Sequence, residues 1–371
     1  MTISSLVKGL LDKVLSHYKQ HERLVGWMFF LGGVVWDALT LRRIDNFLDN
    51  AILLSYLALF LFVVLADILI KADQFKGDWQ KKITPWLGPI TQFLLGALLS
   101  AIVIFYARSI AWASQLGILA ILVVGMVANE FLYRRINSLT TTLLMLCGSS
   151  TFIFAWLYPV LFQSMSPWLF RLACISGLAL SGGVLYVAIR LKQAHLHPWG
   201  SVPMWGLVGF IFLLNVGYEK DWIPPVPMSV TAGGVYQKAD KVGDTYELEY
   251  LTTSWIEFFP SYGKKFYYEA GDTVSCFTSI FAPTDMNEKI FHVWERYNEA
   301  QETWQPTDRI GFRINGGRDD GYRGLTRKRN VTMGKWRIVV ETNRGKILSR
   351  IPFDVLPKPN ETETRWIQKA R

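Results

Sequence analysis

The sequence of 371 residues contains only three cysteines and five histidines. Cys147 and Cys174 lie in apolar segments, and Cys276 is the only cysteine in the second half of the chain. That half therefore has no internal disulfide and must be stabilised by a hydrophobic core. There is no CxxC pair and no Cys/His spacing typical of a zinc site. We accordingly expect no metal and no cofactor.

Motifs of common enzyme classes are also missing. The chain has no GxSxG elbow, HExxH motif, P-loop or GxGxxG. His292 is the only histidine after residue 220, so the second half cannot form a histidine-based triad partner set or a two-histidine metal site. The sequence favours a protein that is not an enzyme, and it leaves catalysis open.

Charge is scarce and unevenly placed. Hydrophobic residues make up 51% of the chain, charged residues 19%, and the net charge is +9. Residues 1–220 hold 17 Lys and Arg against 10 Asp and Glu, whereas residues 221–371 hold 22 against 20. The basic excess belongs to the apolar half, where loop lysines and arginines set the orientation of membrane helices. We therefore do not expect nucleic-acid binding.

Seven apolar segments approach the length of about 20 residues that a helix needs to cross a bilayer. They are residues 24–40, 51–71, 88–108, 112–131, 139–163, 168–191 and 202–218. The sequence thus predicts a polytopic α-helical bundle of about seven transmembrane helices over residues 23–219. Residues 1–22 have the pattern of an amphipathic helix, either on an anionic membrane surface or packed on the bundle.

The distribution of positive charge predicts the orientation of the bundle. The N-terminus and the loops on its side hold twelve Lys and Arg, whereas the opposite side holds only Arg42, Arg43, Arg108 and Arg171. Positive residues favour the cytoplasmic side, so we expect the N-terminus there. Seven crossings then place residues 221–371 outside, in a periplasm or its equivalent.

The residues after the bundle predict a β domain on a short connection. Pro224, Pro225 and Pro227 make residues 220–230 a stiff strut that cannot continue a helix. Short runs rich in β-branched and aromatic residues follow, separated by turn residues. They are residues 245–251, 273–282, 289–298, 309–315, 335–341 and 346–356. We expect an all-β, immunoglobulin-like sandwich over residues 231–357 and a polar tail over residues 358–371.

Motifs in both halves of the chain resemble one known family. They are Trp36-Asp-Ala-Leu-Thr-Leu-Arg-Arg-Ile-Asp45, the Pro-Pro-Val-Pro strut, Phe281-Ala-Pro-Thr284, His292-Val-Trp294, Asn315-Gly-Gly-Arg-Asp-Asp-Gly-Tyr-Arg-Gly324, Gly334-Lys-Trp-Arg337 and Gly345-Lys-Ile-Leu-Ser-Arg350. With these motifs the chain resembles a bacterial C-terminal domain known as domain of unknown function 2914. The resemblance implies an inner-membrane protein with a β-rich terminal domain. It implies no activity and no catalytic residues.

The densest group of candidate ligand-binding residues lies between Arg313 and Arg329. Glycines let backbone amides approach a ligand, and arginines match the oxygens of phosphates and carboxylates. An anionic glycan or lipid headgroup suits such a stretch, whereas glycine turns with surface ion pairs would explain it without a ligand. The predicted site consists of Arg313, Arg318, Asp319, Asp320, Tyr322, Arg323 and Arg327, with His292 and Trp294 on a neighbouring strand.

A second candidate site lies at the outer end of the first apolar segment. Ionisable residues near a membrane are costly and suggest function. The four residues are Asp37, Arg42, Arg43 and Asp45. By contrast, Asp67 and Lys71 are spaced i,i+4 near the inner surface, and we interpret them as a structural ion pair.

Two functions are consistent with these patterns. The leading hypothesis is a non-enzymatic inner-membrane protein whose periplasmic sandwich binds a partner protein, an envelope glycan or an anionic lipid. The competing hypothesis is a membrane enzyme or carrier that acts on a lipid-linked substrate at the outer leaflet, with Asp37, Arg42, Arg43 and Asp45 lining the site. A membrane protein partner or a homo-oligomer is compatible with both.

The predicted orientation is testable with a reporter fused after Arg371. We expect a reporter that is active only outside the cytoplasm to be active in this fusion, because an odd number of crossings follows a cytoplasmic N-terminus. Activity of a cytoplasm-dependent reporter at the same position would contradict the orientation.

Overall fold

The computed structural model describes most of both halves of the chain. The described residues are 31–32, 34–41, 44–74, 77, 79–109, 115–136, 138–191, 202–243, 245–252, 265–269, 271–284, 286–317, 321–358 and 365–370. The predicted amphipathic segment over residues 1–22 lies outside them. So do five predicted site residues: Arg42, Arg43, Arg318, Asp319 and Asp320.

The first half is helical. After a helical segment at residues 34–40, the structure describes α1 (Phe47–Lys71), α2 (Trp79–Ser109), α3 (Leu116–Ile136), α4 (Leu139–Phe162), α5 (Pro167–Arg190) and α6 (Val202–Glu219). Among the described helices, α1, α2, α4 and α5 are long and apolar enough to span a membrane. The apolar helical half is thus confirmed, and the count of seven crossings stays a prediction.

Polar contacts tie the helix termini together at one end of the bundle. Arg108, at the end of α2, donates to the carbonyl of Ala38 at 3.0 Å. Arg171, near the start of α5, pairs with Glu219 at the end of α6 at 3.1 Å. We call this end, which also carries the β half, the junction end, and the opposite end, with Lys71 and Trp79, the distal end.

Tryptophans mark both ends of the bundle. Trp36, Trp168 and Trp222 are exposed at the junction end. The exposed tryptophans of the distal end are Trp79, Trp86 and Trp205. Tryptophan is enriched where a membrane meets water, because its ring is apolar and its N–H is polar. Two such levels, separated by apolar helix surface, are typical of a membrane-embedded bundle.

The second half contains eleven described strands. They are β1 (Ser229–Tyr236), β2 (Lys238–Val242), β3 (Thr245–Thr252), β4 (Lys265–Tyr268), β5 (Val274–Phe281), β6 (Asn287–Asn298), β7 (Thr303–Asn315), β8 (Tyr322–Lys328), β9 (Gly334–Thr342), β10 (Ile347–Pro357) and β11 (Arg365–Ala370). They form sheets of order β4-β10-β9-β6-β7, β1-β5-β8 and β11-β3-β2. The predicted C-terminal β domain is confirmed.

The five-stranded sheet and the β1-β5-β8 sheet enclose the main core of this half. Their inward side chains include Cys276 and Ile280 from β5, Trp294 from β6, and Ile338 from β9, all fully buried. The third sheet covers the other face of β1-β5-β8, where Tyr236, Leu248 and Tyr250 surround Phe277. The predicted two-sheet sandwich therefore has an additional layer.

One predicted segment differs from the structure. Residues 365–370 are not a loose tail but pair with β3 as strand β11. In the proline strut, Ile223 and Val226 are buried in the helical core and Met228 in the β core. The strut therefore joins two hydrophobic cores directly.

Candidate functional site

The turn between β5 and β6 lies on the turn that precedes α1. The backbone N–H of Thr284 and its hydroxyl both donate to Asp45 Oδ2, at 2.8 and 2.9 Å. Buried Asn50 holds the Asp45 turn in place, since its amide donates to the carbonyl of Ile44 at 2.8 Å. Trp156 Nε1 donates in turn to Asn50 Oδ1 at 3.0 Å. Asp45, which the sequence identified as a candidate, thus contacts the β half.

The hairpin between β9 and β10 makes a second contact with the bundle. Lys346 Nζ donates to the carbonyl of Tyr218 at 2.7 Å, lies 3.4 Å from Asp221 Oδ1 and sits 4.0 Å above the Tyr218 ring. Arg344 reaches the hydroxyl of Ser164 at 3.4 Å. Met165, next to Ser164, is buried in the β core. The β half is therefore fixed on the junction end at several points.

The start of the predicted arginine loop packs on the same β5–β6 turn. The N–H groups of Gly316 and Gly317 donate to Met286 and Ala282 carbonyls at 2.7 and 3.1 Å. A Cβ on Gly316 would lie 1.7 Å from the carbonyl oxygen of Pro283, so no larger residue fits. Gly317 adjoins Thr284. Thr284 therefore contacts both Asp45, on the turn before α1, and Gly317, at the start of the arginine loop.

The remaining residues of the arginine stretch do not form one site. Arg327 donates to the Ala239 carbonyl at 2.6 Å and pairs with Asp240 at 3.3 Å, on the side of the third sheet. Arg323 shares that face of β8, because it is four residues away on the strand. Tyr322 packs against the β core. Arg313 is exposed on β7 of the five-stranded sheet.

His292 and Trp294 lie inside the β core and are fully buried. The His292 ring nitrogens lie 3.0 Å from the Thr278 hydroxyl and 2.8 Å from the Thr326 hydroxyl. Burial lowers the pKa of His292 from 6.5 to about 3, so the ring is neutral. Trp294 packs edge-on against Phe353. The structure does not bring either side chain to a surface that a ligand could reach.

Asp37 lies apart from the junction contacts described for Asp45. It is half-buried on the helical segment at residues 34–40, and its backbone carbonyl accepts from Leu41 at 2.8 Å. Among the described residues, no group of three His, Cys, Asp or Glu side chains is placed to hold a metal. The features of the described residues that could support binding are therefore the contacts between the two halves and the charged surface of the β half.

The outer face of the five-stranded sheet carries a charged surface that the sequence analysis missed. Arg309 stacks on Phe291 at 3.3 Å and pairs with Glu341 at 2.9 Å. Arg337 stacks on Trp304 at 4.3 Å and pairs with Glu295. Cations on this face outnumber acids: they are Lys289, Arg309, Arg313, Lys335, Arg337 and Arg350, against Glu295, Glu341 and Asp354. Alternation of basic residues with buried ones along β6, β7 and β9 is the signal that would have identified it.

The end of this face nearest the bundle carries three cations. Lys289 and Arg313 are cross-strand neighbours on β6 and β7. Exposed Arg344 follows β9 on the hairpin that contacts Ser164. Glu288 is close to Arg344, and burial raises the pKa of Glu288. We call Lys289, Arg313 and Arg344 the basic rim.

Comparison with known proteins assigns a family to part of the chain. Residues 287–355, from β6 to β10, match the model of a family described as Protein of unknown function (DUF2914). The resemblance seen in the sequence is thus confirmed for the C-terminal region. No protein of curated function matches the chain.

Solved structures give weak similarities. An immunoglobulin-like protein from Pseudomonas aeruginosa is 9% identical, covering 35% of this chain and 97% of that chain, with a TM-score of 0.22. A beta-glucosidase from Listeria innocua is 12% identical over 32% and 17%, with a TM-score of 0.19. A Pseudomonas fluorescens alkylpurine DNA glycosylase is 8% identical over 84% and 99%, with a TM-score of 0.21. Because all three TM-scores are below 0.5, they contribute nothing to the functional argument.

The buried histidine predicts a pH dependence of stability. Since its folded pKa of about 3 lies below the ordinary 6.5, the unfolded chain binds a proton that the folded chain does not. The stabilisation is complete above pH 6.5 and is lost as the pH falls toward 3, at about 1.4 kcal/mol per pH unit. We expect His292→Gln to remove this contribution to the pH dependence of the unfolding free energy. Hydrogen exchange of the β6 amides between pH 7 and 5 measures that dependence. An equal pH dependence in the wild type and the variant would contradict the lowered pKa of His292.

The Asp45–Thr284 contact predicts a local effect. Asp45→Ala removes a charged acceptor worth about 1–3 kcal/mol, so the Thr284 amide should exchange roughly 5- to 150-fold faster. Asp45→Asn, which retains a side-chain oxygen, should have a smaller effect. Glu299→Ala, on the exposed β6–β7 turn, is the matched control and should leave Thr284 unchanged. An unaltered Thr284 exchange rate in Asp45→Ala would show that the contact does not form in solution.

Proposed function

We propose that this chain is a non-enzymatic, multi-pass bacterial inner-membrane protein that binds an anionic lipid headgroup of the periplasmic leaflet at its basic rim. The observation that carries the proposal is the fixed seating of the β half on the junction end. Because Thr284 and Lys346 both contact the bundle, the rim stands beside the level of Trp36, Trp168 and Trp222. That level is where lipid headgroups are expected.

The orientation follows from the charges at the two ends of the bundle. The N-terminus and the loops on its side hold twelve Lys and Arg, against four in the loops on the other side and Lys220 at the end of the last apolar segment. Such a bias supports a cytoplasmic distal end and a periplasmic β half.

The chemistry of the rim fits a phosphate group. Arginine offers paired N–H donors to phosphate oxygens, and lysine supplies a compact positive charge. Basic residues near an anionic lipid surface gain about 1 kcal/mol each. Arg309 and Arg337 already pair with Glu341 and Glu295, which leaves the rim as the part of this face best suited to an anion.

The other functions considered from the sequence have less support. A membrane enzyme or carrier would use Asp45 in its site, but Asp45 Oδ2 accepts two hydrogen bonds from Thr284, which suits a structural role. A partner protein or an envelope glycan would have to use the outer face of the five-stranded sheet, where Arg309 and Arg337 already have carboxylate partners. We therefore prefer the lipid.

Native mass spectrometry of the full-length protein tests the proposal. After delipidation in mild detergent, we expect phosphatidylglycerol to bind more tightly than phosphatidylcholine with the same acyl chains. Replacing two rim cations in Lys289→Gln/Arg313→Gln should weaken phosphatidylglycerol binding roughly 30-fold, since two charges contribute about 2 kcal/mol. Binding of phosphatidylcholine should not change.

The control removes two cations from the far end of the same sheets. Lys335→Gln/Arg329→Gln carries the same change of charge and should retain wild-type phosphatidylglycerol binding. Equal losses in the two double variants would reduce the effect to net charge and overturn the assignment to the rim. Binding of soluble anionic glycan fragments at the rim, without lipid preference, would favour the glycan function instead.

A further inference from the structure

A cavity of about 400 Å³ lies at the distal end of the bundle, remote from the β half. It is bounded by the end of α1, the first turns of α2 and the start of α4. Its lining residues are Val64, Asp67, Ile68, Lys71, Thr84, Leu87, Gly88, Thr91, Ser138, Leu139 and Thr142. This volume is within the range of small-ligand sites.

Each of the three helices contributes both apolar and polar side chains to the lining. The polar side chains include the ion pair predicted from the sequence, with Lys71 Nζ 2.6 Å from Asp67 Oδ2. Both side chains are partly exposed, at 58% for Lys71 and 33% for Asp67. A solvent-exposed i,i+4 pair contributes little to stability, so a ligand that supplies both charges can exchange partners with it at small cost.

The threonine hydroxyl groups of the lining can accept hydrogen bonds from a ligand. Thr84 and Thr91 each donate to a backbone carbonyl of their own helix, at 2.8 Å. A hydroxyl that donates to the backbone keeps lone pairs for another donor. Pro89 adds to this pattern, because it lacks the N–H that would pair with the carbonyl of Pro85. This part of α2 is therefore rich in acceptors, which suits an ammonium group.

The lining also contains groups that suit a negative charge. Lys71 supplies a positive charge at the end of α1. Ser138 and Leu139 bring the N-terminus of the 24-residue helix α4 to the lining, and the positive end of a helix dipole favours an anion. Groups that suit a cation and groups that suit an anion thus line the same cavity.

The position of the cavity places it among lipid headgroups. Trp79 and Trp86 of α2 are exposed at the same end and mark the membrane surface. The lysines of the first turn of α2, Lys81 and Lys82, are exposed beside them. The start of an acyl chain can lie against the apolar side chains of the lining, which are Val64, Ile68, Leu87 and Leu139.

We propose that this cavity binds the headgroup of a phospholipid that carries a phosphate and a primary ammonium, the phosphoethanolamine type. The ammonium pairs with Asp67 and the threonine oxygens. The phosphate pairs with Lys71 and the N-terminus of α4. The site is separate from the basic rim, and a failure of the rim proposal leaves it intact.

Competition between lipids with identical acyl chains tests the proposal on the delipidated full-length protein. Native mass spectrometry should show one phosphatidylethanolamine retained more strongly than phosphatidylcholine, whose methylated ammonium cannot donate N–H bonds. Asp67→Asn should weaken phosphatidylethanolamine binding at least tenfold and leave phosphatidylglycerol unchanged. Lys71→Met should also weaken phosphatidylethanolamine binding, because Lys71 pairs with the phosphate, and it should leave phosphatidylglycerol binding at the basic rim unchanged.

Two further variants separate ligand binding from a structural role. Asp73→Asn, at the same end but outside the cavity lining, should bind like the wild type. The charge swap Asp67→Lys/Lys71→Asp retains an i,i+4 pair with the charges exchanged, and we expect it to keep its thermal stability and lose the lipid preference. Recovery of the preference in the swap, or equal binding in Asp67→Asn and Asp73→Asn, would overturn the proposal.

The source of the headgroup is tested with soluble O-phosphoethanolamine. Failure of this compound to displace the lipid at millimolar concentration would support a site that needs the acyl chain as well as the headgroup. Displacement that depends on Asp67 would support the same headgroup chemistry with a soluble ligand. Displacement that is unaffected by Asp67→Asn would count against the site.

Discussion

The carboxylate of Asp45 holds the two halves of the molecule in register. It accepts both hydrogen bonds of Thr284, and the turn that carries it is fixed by Asn50 and Trp156 inside the bundle. The position of the β5–β6 turn in turn determines where the glycine segment at residues 316–317 packs. The position of the basic rim relative to the bundle therefore depends on the Asp45–Thr284 contact, in which the bundle supplies the hydrogen-bond acceptor.

The outer face of the five-stranded sheet shows how a protein can expose a basic surface and still cover apolar residues. Phe291, Val293 and Val339 are nearly buried on this face although it points away from the core. The stems of long basic side chains cover such residues while their charged ends stay in water. The guanidinium of Arg309 over Phe291 adds a cation–π contact to this arrangement. The surface is therefore structured before any ligand arrives.

The sequence predicted the helices better than the strands. Apolar runs locate α1 to α6, because a helix in a membrane must be apolar over most of its length, but α2 begins nine residues before its predicted segment, at Trp79. β8 was not predicted, since Tyr322–Lys328 is rich in arginine and glycine and resembles a loop. Its glycine is required by packing: a Cβ on Gly324 would lie 2.3 Å from the Phe312 ring.

The candidate sites were predicted in part. Asp45 was identified because charge near a membrane is costly, and the structure places it at the junction. The grouping of Arg313 with Arg323 and Arg327 was not retained, because strand alternation and sheet order depend on pairings far apart in the sequence. His292 looked chemical as the only histidine of its half, but its register opposite Val340 directs it into the core.

The burial of the strut has a consequence for the biogenesis of the protein. Met165, between α4 and α5, is part of the β core, and Met228 reaches that core from the strut. The β half thus completes its hydrophobic interior with a residue more than sixty positions earlier in the chain. Folding of the β half is therefore coupled to correct placement of the α4–α5 turn, and a chain with a misplaced turn leaves its β half incomplete.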